Sequence, residues 1–320
     1  GGRPEFRIAS LGRTVYALGE QGRLLWRART AGPAYALAIL PGGRVAAADD
    51  AGRVSLLDAA GNRAWQQDLG SRVTALCPAG DGGLLAGGWD ERLTLLDGEG
   101  HAAWQTGLDG PLAAIALLPQ GGGQDLAVAA TLGGRLWALT GEGEVAWQFP
   151  AGAAVASLQV AGAGDTALLL AGLQDGRLLA LDAAGEQLWE RSLGQGAPAC
   201  APVHHPGSAV PQILAGSGGR EPSLALLSAG GDVLWRLALP AAPAAVLATD
   251  LDRDGSPELV AGLADGQVQA YDGAGRLRSA VHAGLPVWHL AAADGSLLAL
   301  ADVVAWGIIA APGQAGAAWL

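Results

Sequence analysis

Leu179-Ala180-Leu181-Asp182-Ala183-Ala184-Gly185-Glu186-Gln187-Leu188-Trp189 sets an apolar run before a tight acidic turn and ends on a Trp four residues after a Gly. The same Gly-x-x-x-Trp phrase returns at Gly22 and Trp26, Gly61 and Trp65, Gly100 and Trp104, Gly143 and Trp147, and Gly231 and Trp235. A seventh copy runs Tyr271-Asp272-Gly273-Ala274-Gly275 with Ser279 where the Trp is expected, and an eighth, looser copy ends at Trp319. The spacing of roughly 40 residues is a propeller-type period.

Each unit carries four short apolar runs, as in Tyr35 to Leu40, Val45 to Ala48, Val54 to Leu57 and Ala64 to Leu69. Runs of this length separated by Gly and Asp turns predict strands. The high Ala and Leu content favours helix on propensity alone. The 51 Gly residues, however, interrupt the chain too often for helices of ordinary length. Asp175-Gly176 and Asp265-Gly266 are hairpin signals expected between the second and third strands of their units.

Four-stranded units repeated without long linkers predict an all-β chain folded as one β-propeller domain, 1–320, in a radial arrangement that leaves only short edges. The units fall at 1–30 (partial), 31–70, 71–109, 110–151, 152–195, 196–239, 240–283 and 284–320. Phe6 to Arg29 supplies three strands and lacks the innermost. Eight blades are preferred, because Leu298 to Ile308 repeats the apolar spacing of Ile8 to Leu18. In the seven-blade alternative, Leu285 to Ala292 completes the first unit.

Composition excludes several classes. Half of the residues are apolar and only 15% are charged, which is not the make-up of a disordered chain. The net charge of -11, with all 19 basic residues Arg, argues against a nucleic-acid partner, which calls for clustered basic side chains. Cys77 and Cys200 match no metal or disulfide spacing and are read as buried apolar residues. Val303 to Leu320 is nearly all apolar, but Pro312, Gln314 and its many Ala and Gly residues make it a poor membrane span; it is read as closing strands. A chain that opens on Gly1-Gly2 and contains no Met is expected to be a processed or trimmed form.

The Leu179 to Trp189 phrase resembles the repeat of the pyrroloquinoline-quinone-type propellers, the quinoprotein and BamB type, whose outer-strand Trp docks against the neighbouring blade. Asp58, Asp97, Asp182 and Asp272 open the turn before that Trp, where a short carboxylate can accept backbone N–H groups. A Trp placed once per unit is read as a seam residue, not a site residue. The resemblance also implies an extracytoplasmic, periplasmic or cell-surface setting. Quinoprotein dehydrogenases of this kind need a central calcium site with Glu, Asn and Asp ligands and often carry adjacent cysteines. This chain has no Cys-Cys pair, and its one Asn, Asn62, sits in a docking turn.

The sharpest chemical signal is Asp250-Leu251-Asp252-Arg253-Asp254-Gly255-Ser256-Pro257-Glu258. Carboxylates at loop positions 1, 3, 5 and 9, with Gly at 6, gather hard oxygens of the kind Ca²⁺ takes in irregular coordination. The acid at 9, with none at 12 and no flanking helices, separates the loop from an EF-hand. With a strand at Leu259 to Leu263, it resembles the calcium loops of FG-GAP or VCBS repeats, the integrin-α type of blade. That resemblance implies Asp250, Asp252, Asp254 and Glu258 as side-chain ligands, the backbone carbonyl of Ser256 as another, and a structural ion. The loops at Gly121 to Asp125, Gly162 to Asp165 and His204 to Ser208 keep the frame without enough carboxylates. His204 and His205 are read as loop residues with no third ligand.

Trp89 lies off the docking register, among charges in Gly87-Gly88-Trp89-Asp90-Glu91-Arg92, where it can stack on a sugar or anchor a protein. Ala215 to Gly219 is Gly-rich, but no helix signal follows to make it a phosphate loop. The expected function is a non-enzymatic, Ca²⁺-binding recognition or assembly module within a larger bacterial protein. Its loops at the channel mouth would take a protein, peptide or neutral glycan. A quinone-dependent dehydrogenase-like enzyme and a lectin-like propeller are the alternatives.

Overall fold

The computed structural model describes residues 7–19, 23–121, 123–208, 210–293, 296–301, 306–310 and 317–319. Gly22 of the first Gly-x-x-x-Trp phrase lies outside them, as do Phe6 and parts of the two terminal units. The described residues form eight antiparallel sheets. A three-stranded one lies within 7–29, and four-stranded ones follow within 34–68, 73–107, 112–150, 155–192, 195–238, 243–282 and 287–319. Strands pair in chain order inside every sheet, so each connection is a hairpin. Among the described residues no helix is long and apolar enough to cross a membrane.

The second sheet sets the pattern, with strands Ala34–Leu40, Arg44–Asp49, Arg53–Leu57 and Arg63–Asp68. These are the four apolar runs read from the sequence. Alternate residues of a strand face opposite sides of its sheet. Val45 and Ala47 accordingly pack with Val15 of the first sheet, whereas Ala46 and Ala48 pack with Val73, Leu84 and Ala86 of the third. Burial on both faces turns the expected alternation into a continuous apolar run, and Ala is small enough to let the flanking sheets approach. The fourth strand, Arg63–Asp68, lacks that cover and alternates exposed and half-buried side chains.

Two compact units divide the chain, 1–158 and 159–320. In the first, cores lie between consecutive sheets, the last of them built on Leu85, Leu93, Leu112, Ala129 and Leu139. The second unit repeats the plan. Leu170, Trp189, Ile213 and Ala215 join its first two sheets, Leu214, Leu226, Leu259 and Ala261 the next pair, and Val260, Val287, Leu297 and Ala299 the last. The Leu285 to Ala292 run falls largely in strand Val287–Ala293, which pairs with Ser296–Ala301 in its own sheet. Gly176 and Gly266 hold φ of 93° and 88° in second-to-third-strand turns. Neither cysteine is in a disulfide; Cys200 is buried, and burial pushes the Cys77 thiol up to about 11.

The repeated Trp residues reach from one sheet to the next. In the first unit the Nε1–H of Trp26 donates to Ala59 O at 3.0 Å, that of Trp65 to Gly98 O at 3.0 Å and that of Trp104 to Gly141 O at 2.8 Å. In the second unit Trp189 donates to Ala229 O at 2.7 Å and Trp235 to Gly273 O at 2.9 Å. Each ring lies over the Gly of the following phrase. A Cβ on Gly61 would stand 2.7 Å from Trp26 Cδ2, and one on Gly100 would stand 2.7 Å from Trp65 Cδ2. The Gly and Trp of one phrase therefore serve two different seams.

The turn that receives each indole is held by its opening side chain. Asp97 Oδ1 accepts the N–H groups of Glu99 and His101, each at 2.9 Å, and Asp272 Oδ1 those of Ala274 and Arg276 at 3.0 and 2.9 Å. Asp58 and Asp182 do the same. The Arg276 N–H, joined by its guanidinium and opposed by burial, holds the Asp272 carboxyl below its ordinary value of 3.8. A carboxyl depressed by folding stabilises the fold fully above its unfolded pKa, and that contribution disappears as pH falls through the folded value. Urea unfolding is therefore expected to find Asp272→Asn less stable than wild type at pH about 6, with the gap closing only below pH about 4. A gap that does not change with pH would contradict this.

Candidate metal loop

The acidic loop connects the first two strands of the seventh sheet, Pro243–Thr249 and Glu258–Leu263, with Thr249 and Glu258 facing each other across the ladder. Leu251 anchors it, with a side chain only 4% exposed that packs beside Val260 and Val287. Two residues take left-handed backbone, Arg253 at φ 63° and Gly255 at φ 89°. No atom stands within 4 Å of a Cβ built on Gly255, so φ alone selects glycine there.

The chain turns back on its own carboxylates. Asp252 Oδ1 accepts Asp254 N–H at 3.1 Å, Asp250 Oδ2 accepts Gly255 N–H at 3.0 Å, and Asp254 Oδ1 accepts Ser256 N–H at 2.7 Å. These bonds bring one oxygen each from Asp250, Asp252 and Asp254 within 4.8 Å of one another. Glu258 stands outside that trio, buried, with Oε2 accepting Leu251 N–H at 2.7 Å. Burial first, and then the charges of Asp252, Asp254 and Asp250, push the Glu258 carboxyl above its ordinary range. Among the described residues Asp250 Oδ1 is the one buried side-chain oxygen or nitrogen with no hydrogen-bond partner.

Crowded carboxylates, a partnerless buried oxygen and a carboxyl raised by burial and then by its neighbours' charge describe a loop short of positive charge. The donors are hard oxygens, which fits Ca²⁺. Ser256 and Glu258 line the same cleft as Asp252 and Asp254, a space of about 490 Å³.

That cleft contains residues that sequence reasoning missed. Asp272, Gly273, Arg276 and Arg278 line it from the docking turn and outer strand of the same sheet, and His205 from the sixth sheet. Arg276 and Arg278 both pair with Asp272, at 2.8 and 3.2 Å. The signal was present in the register of the repeat. First-to-second-strand loops and docking turns share one end of each sheet, so His205 lies one repeat away from the acidic loop at the corresponding place. His205 Nε2 lies 2.9 Å from Gln212 Oε1, and His204 is exposed.

Trp89 lies at the other end of its sheet, immediately after strand Leu84–Gly88. Trp89 is 53% exposed, and its backbone N–H donates to Arg72 O at 3.0 Å. Ala215 to Gly218 fall inside strand Gln212–Gly218.

Sequential four-stranded antiparallel sheets packed face to face, with an indole hydrogen-bonded across successive seams, define a β-propeller of quinoprotein-type repeats. The family described as outer membrane protein assembly factor BamB matches residues 50–210, and the chain belongs to that family. Solved structures agree on the fold. BamB from Moraxella catarrhalis superposes with a TM-score of 0.71 at 17% identity, covering 99% of this chain and 94% of that one. Saccharomyces cerevisiae Sqt1 gives 0.75 at 12% identity, covering 95% and 92%. BBS1N, crystallised in complex with ARL6DN, gives 0.65 at 18% identity, covering 85% and 88%. A comparison with curated proteins finds no match.

Proposed function

We propose that this chain is a non-enzymatic, Ca²⁺-binding β-propeller that serves as a recognition or assembly scaffold within a larger bacterial protein. Its eight sheets act as the blades of one domain. The observation that carries the scaffold reading is the family match across 50–210, whose description is that of an assembly factor. BBS1N, alike in fold, was solved with a protein partner.

The metal reading rests on the partnerless Asp250 Oδ1 and the three converging carboxylates. Asp250, Asp252 and Asp254 would hold the ion, with Glu258 and the Ser256 carbonyl as further oxygens. A bound Ca²⁺ would supply positive charge and tie the loop to both strands that flank it. Its role is structural, as in FG-GAP or VCBS blades, because binding only the folded state stabilises that state. The indole bonds favour the view that Trp docking seals the seams between blades.

The quinoprotein resemblance keeps an enzyme as the alternative. Adding pyrroloquinoline quinone and Ca²⁺ is expected to give no bound-quinone absorbance and no turnover of alcohols or aldose sugars. Either signal would replace the scaffold reading with a dehydrogenase. Trp89, exposed among charges, is the feature that favours a lectin-like reading.

A further inference from the structure

Three exposed residues at one end of the first unit lie where its second and third sheets meet. Tyr35, near the start of strand Ala34–Leu40, is 57% exposed, and Trp89 is 53% exposed. Between them in the chain, Arg72 immediately precedes strand Val73–Pro78 and is exposed. Its guanidinium carbon lies 4.6 Å from the centre of the Tyr35 ring, a cation–π contact, while its carbonyl receives the Trp89 backbone N–H. Arg72 thus stacks on Tyr35 through its side chain and neighbours Trp89 through its backbone.

The backbone beneath is closely fitted. A Cβ on Gly88 would fall on the Arg72 carbonyl oxygen, so the glycine before Trp89 is what admits Arg72. Arg72 also carries an unspent charge, since no carboxylate pairs with it among the described residues. Arg135, Arg177 and Arg276, by contrast, pair with Asp109, with Asp175 and Glu190, and with Asp272. Stacking on Tyr35 limits the motion of the guanidinium and leaves its N–H fork free for a planar anion, the geometry that favours a carboxylate.

Scattered exposed apolar residues need no explanation, but Tyr, Trp and Arg together are the types that concentrate binding energy in protein interfaces. We propose that Tyr35, Arg72 and Trp89 form a docking surface for a protein segment that presents an acidic residue beside a bulky apolar one. The carboxylate takes the Arg72 fork and the apolar side chain packs on Trp89. This rests on the scaffold reading and gives that scaffold a place and a partner chemistry. A glycan would use the ring faces without needing the unpaired guanidinium.

The test is selection of a phage-displayed random peptide library on the whole chain, with the recovered peptides measured by fluorescence polarisation. Recovered peptides are expected to carry Asp or Glu next to Trp, Phe or Leu. Arg72→Ala and Trp89→Ala should each weaken binding at least about tenfold, while Arg63→Ala, an exposed arginine at the opposite end of the second sheet, leaves it unchanged. Circular dichroism and melting of each variant guard against misfolding. Acidic peptides that bind every variant alike would overturn this surface and leave the scaffold reading intact. Recovery of no peptide, or of glycan-array signals lost in Trp89→Ala but not in Arg72→Ala, would overturn both.

Discussion

Gly100→Ala is expected to destabilise the first unit far more than Gly70→Ala, although the two glycines share the same backbone need. Gly70 has φ 78° and no atom within 4 Å of a Cβ, whereas Gly100 has φ 90° and the Trp65 ring against it. A left-handed alanine costs about 1–2 kcal/mol, and this is the whole expected effect at Gly70. At Gly100 the new methyl must also displace the indole, adding about 1–3 kcal/mol of overpacking and weakening the bond to Gly98 O. Denaturant unfolding of the two variants gives the comparison directly. Equal losses would mean that the Trp65 ring does not hold the seam.

The second large effect concerns the acidic loop. Saturating Ca²⁺, at a concentration about a hundred times its dissociation constant, should stabilise the chain by about 2.7 kcal/mol, and chelator should reverse the gain. Asp252→Ala combined with Asp254→Ala should abolish the response. The double variant also carries a second expectation. With no metal present, relief of the carboxylate charge, which adds to burial in raising Glu258, should offset part of the stability lost with the N–H bonds that Asp252 and Asp254 accept. A double variant that still responds to Ca²⁺ would remove these residues from the site.

Much of this was legible because it is local and periodic. The four runs from Tyr35 to Leu69 mark the strands of the second sheet, and Asp175-Gly176 marks a hairpin, since turn chemistry is written in adjacent residues. Pairing across seams was not legible in the same way. Gly61 and Trp65 form one phrase, yet Gly61 meets Trp26 and Trp65 meets Gly100, contacts between repeats that a motif within one repeat does not show. Two-sided burial of the second strand in that sheet was hidden for a related reason. Val45 and Ala46 face different neighbours, so the run Val45 to Ala48 carries no alternation from which a face could be assigned.

The site divides along the same line. Asp250, Asp252 and Asp254 could be grouped from spacing alone, because a tight loop folds its own neighbours together. His205, Arg276 and Arg278 join the cleft only through the sheet and its neighbour. Trp89 was visible as an outlier, but Tyr35 and Arg72 gained meaning only from the ring contact between them.

The most direct test of a calcium-binding propeller is calorimetric titration of Ca²⁺ into the chelator-stripped chain. One ion should bind per chain, Mg²⁺ should bind far more weakly, and the heat should vanish in the Asp252→Ala, Asp254→Ala variant. No binding by the wild type, or the same binding by the variant, would contradict it.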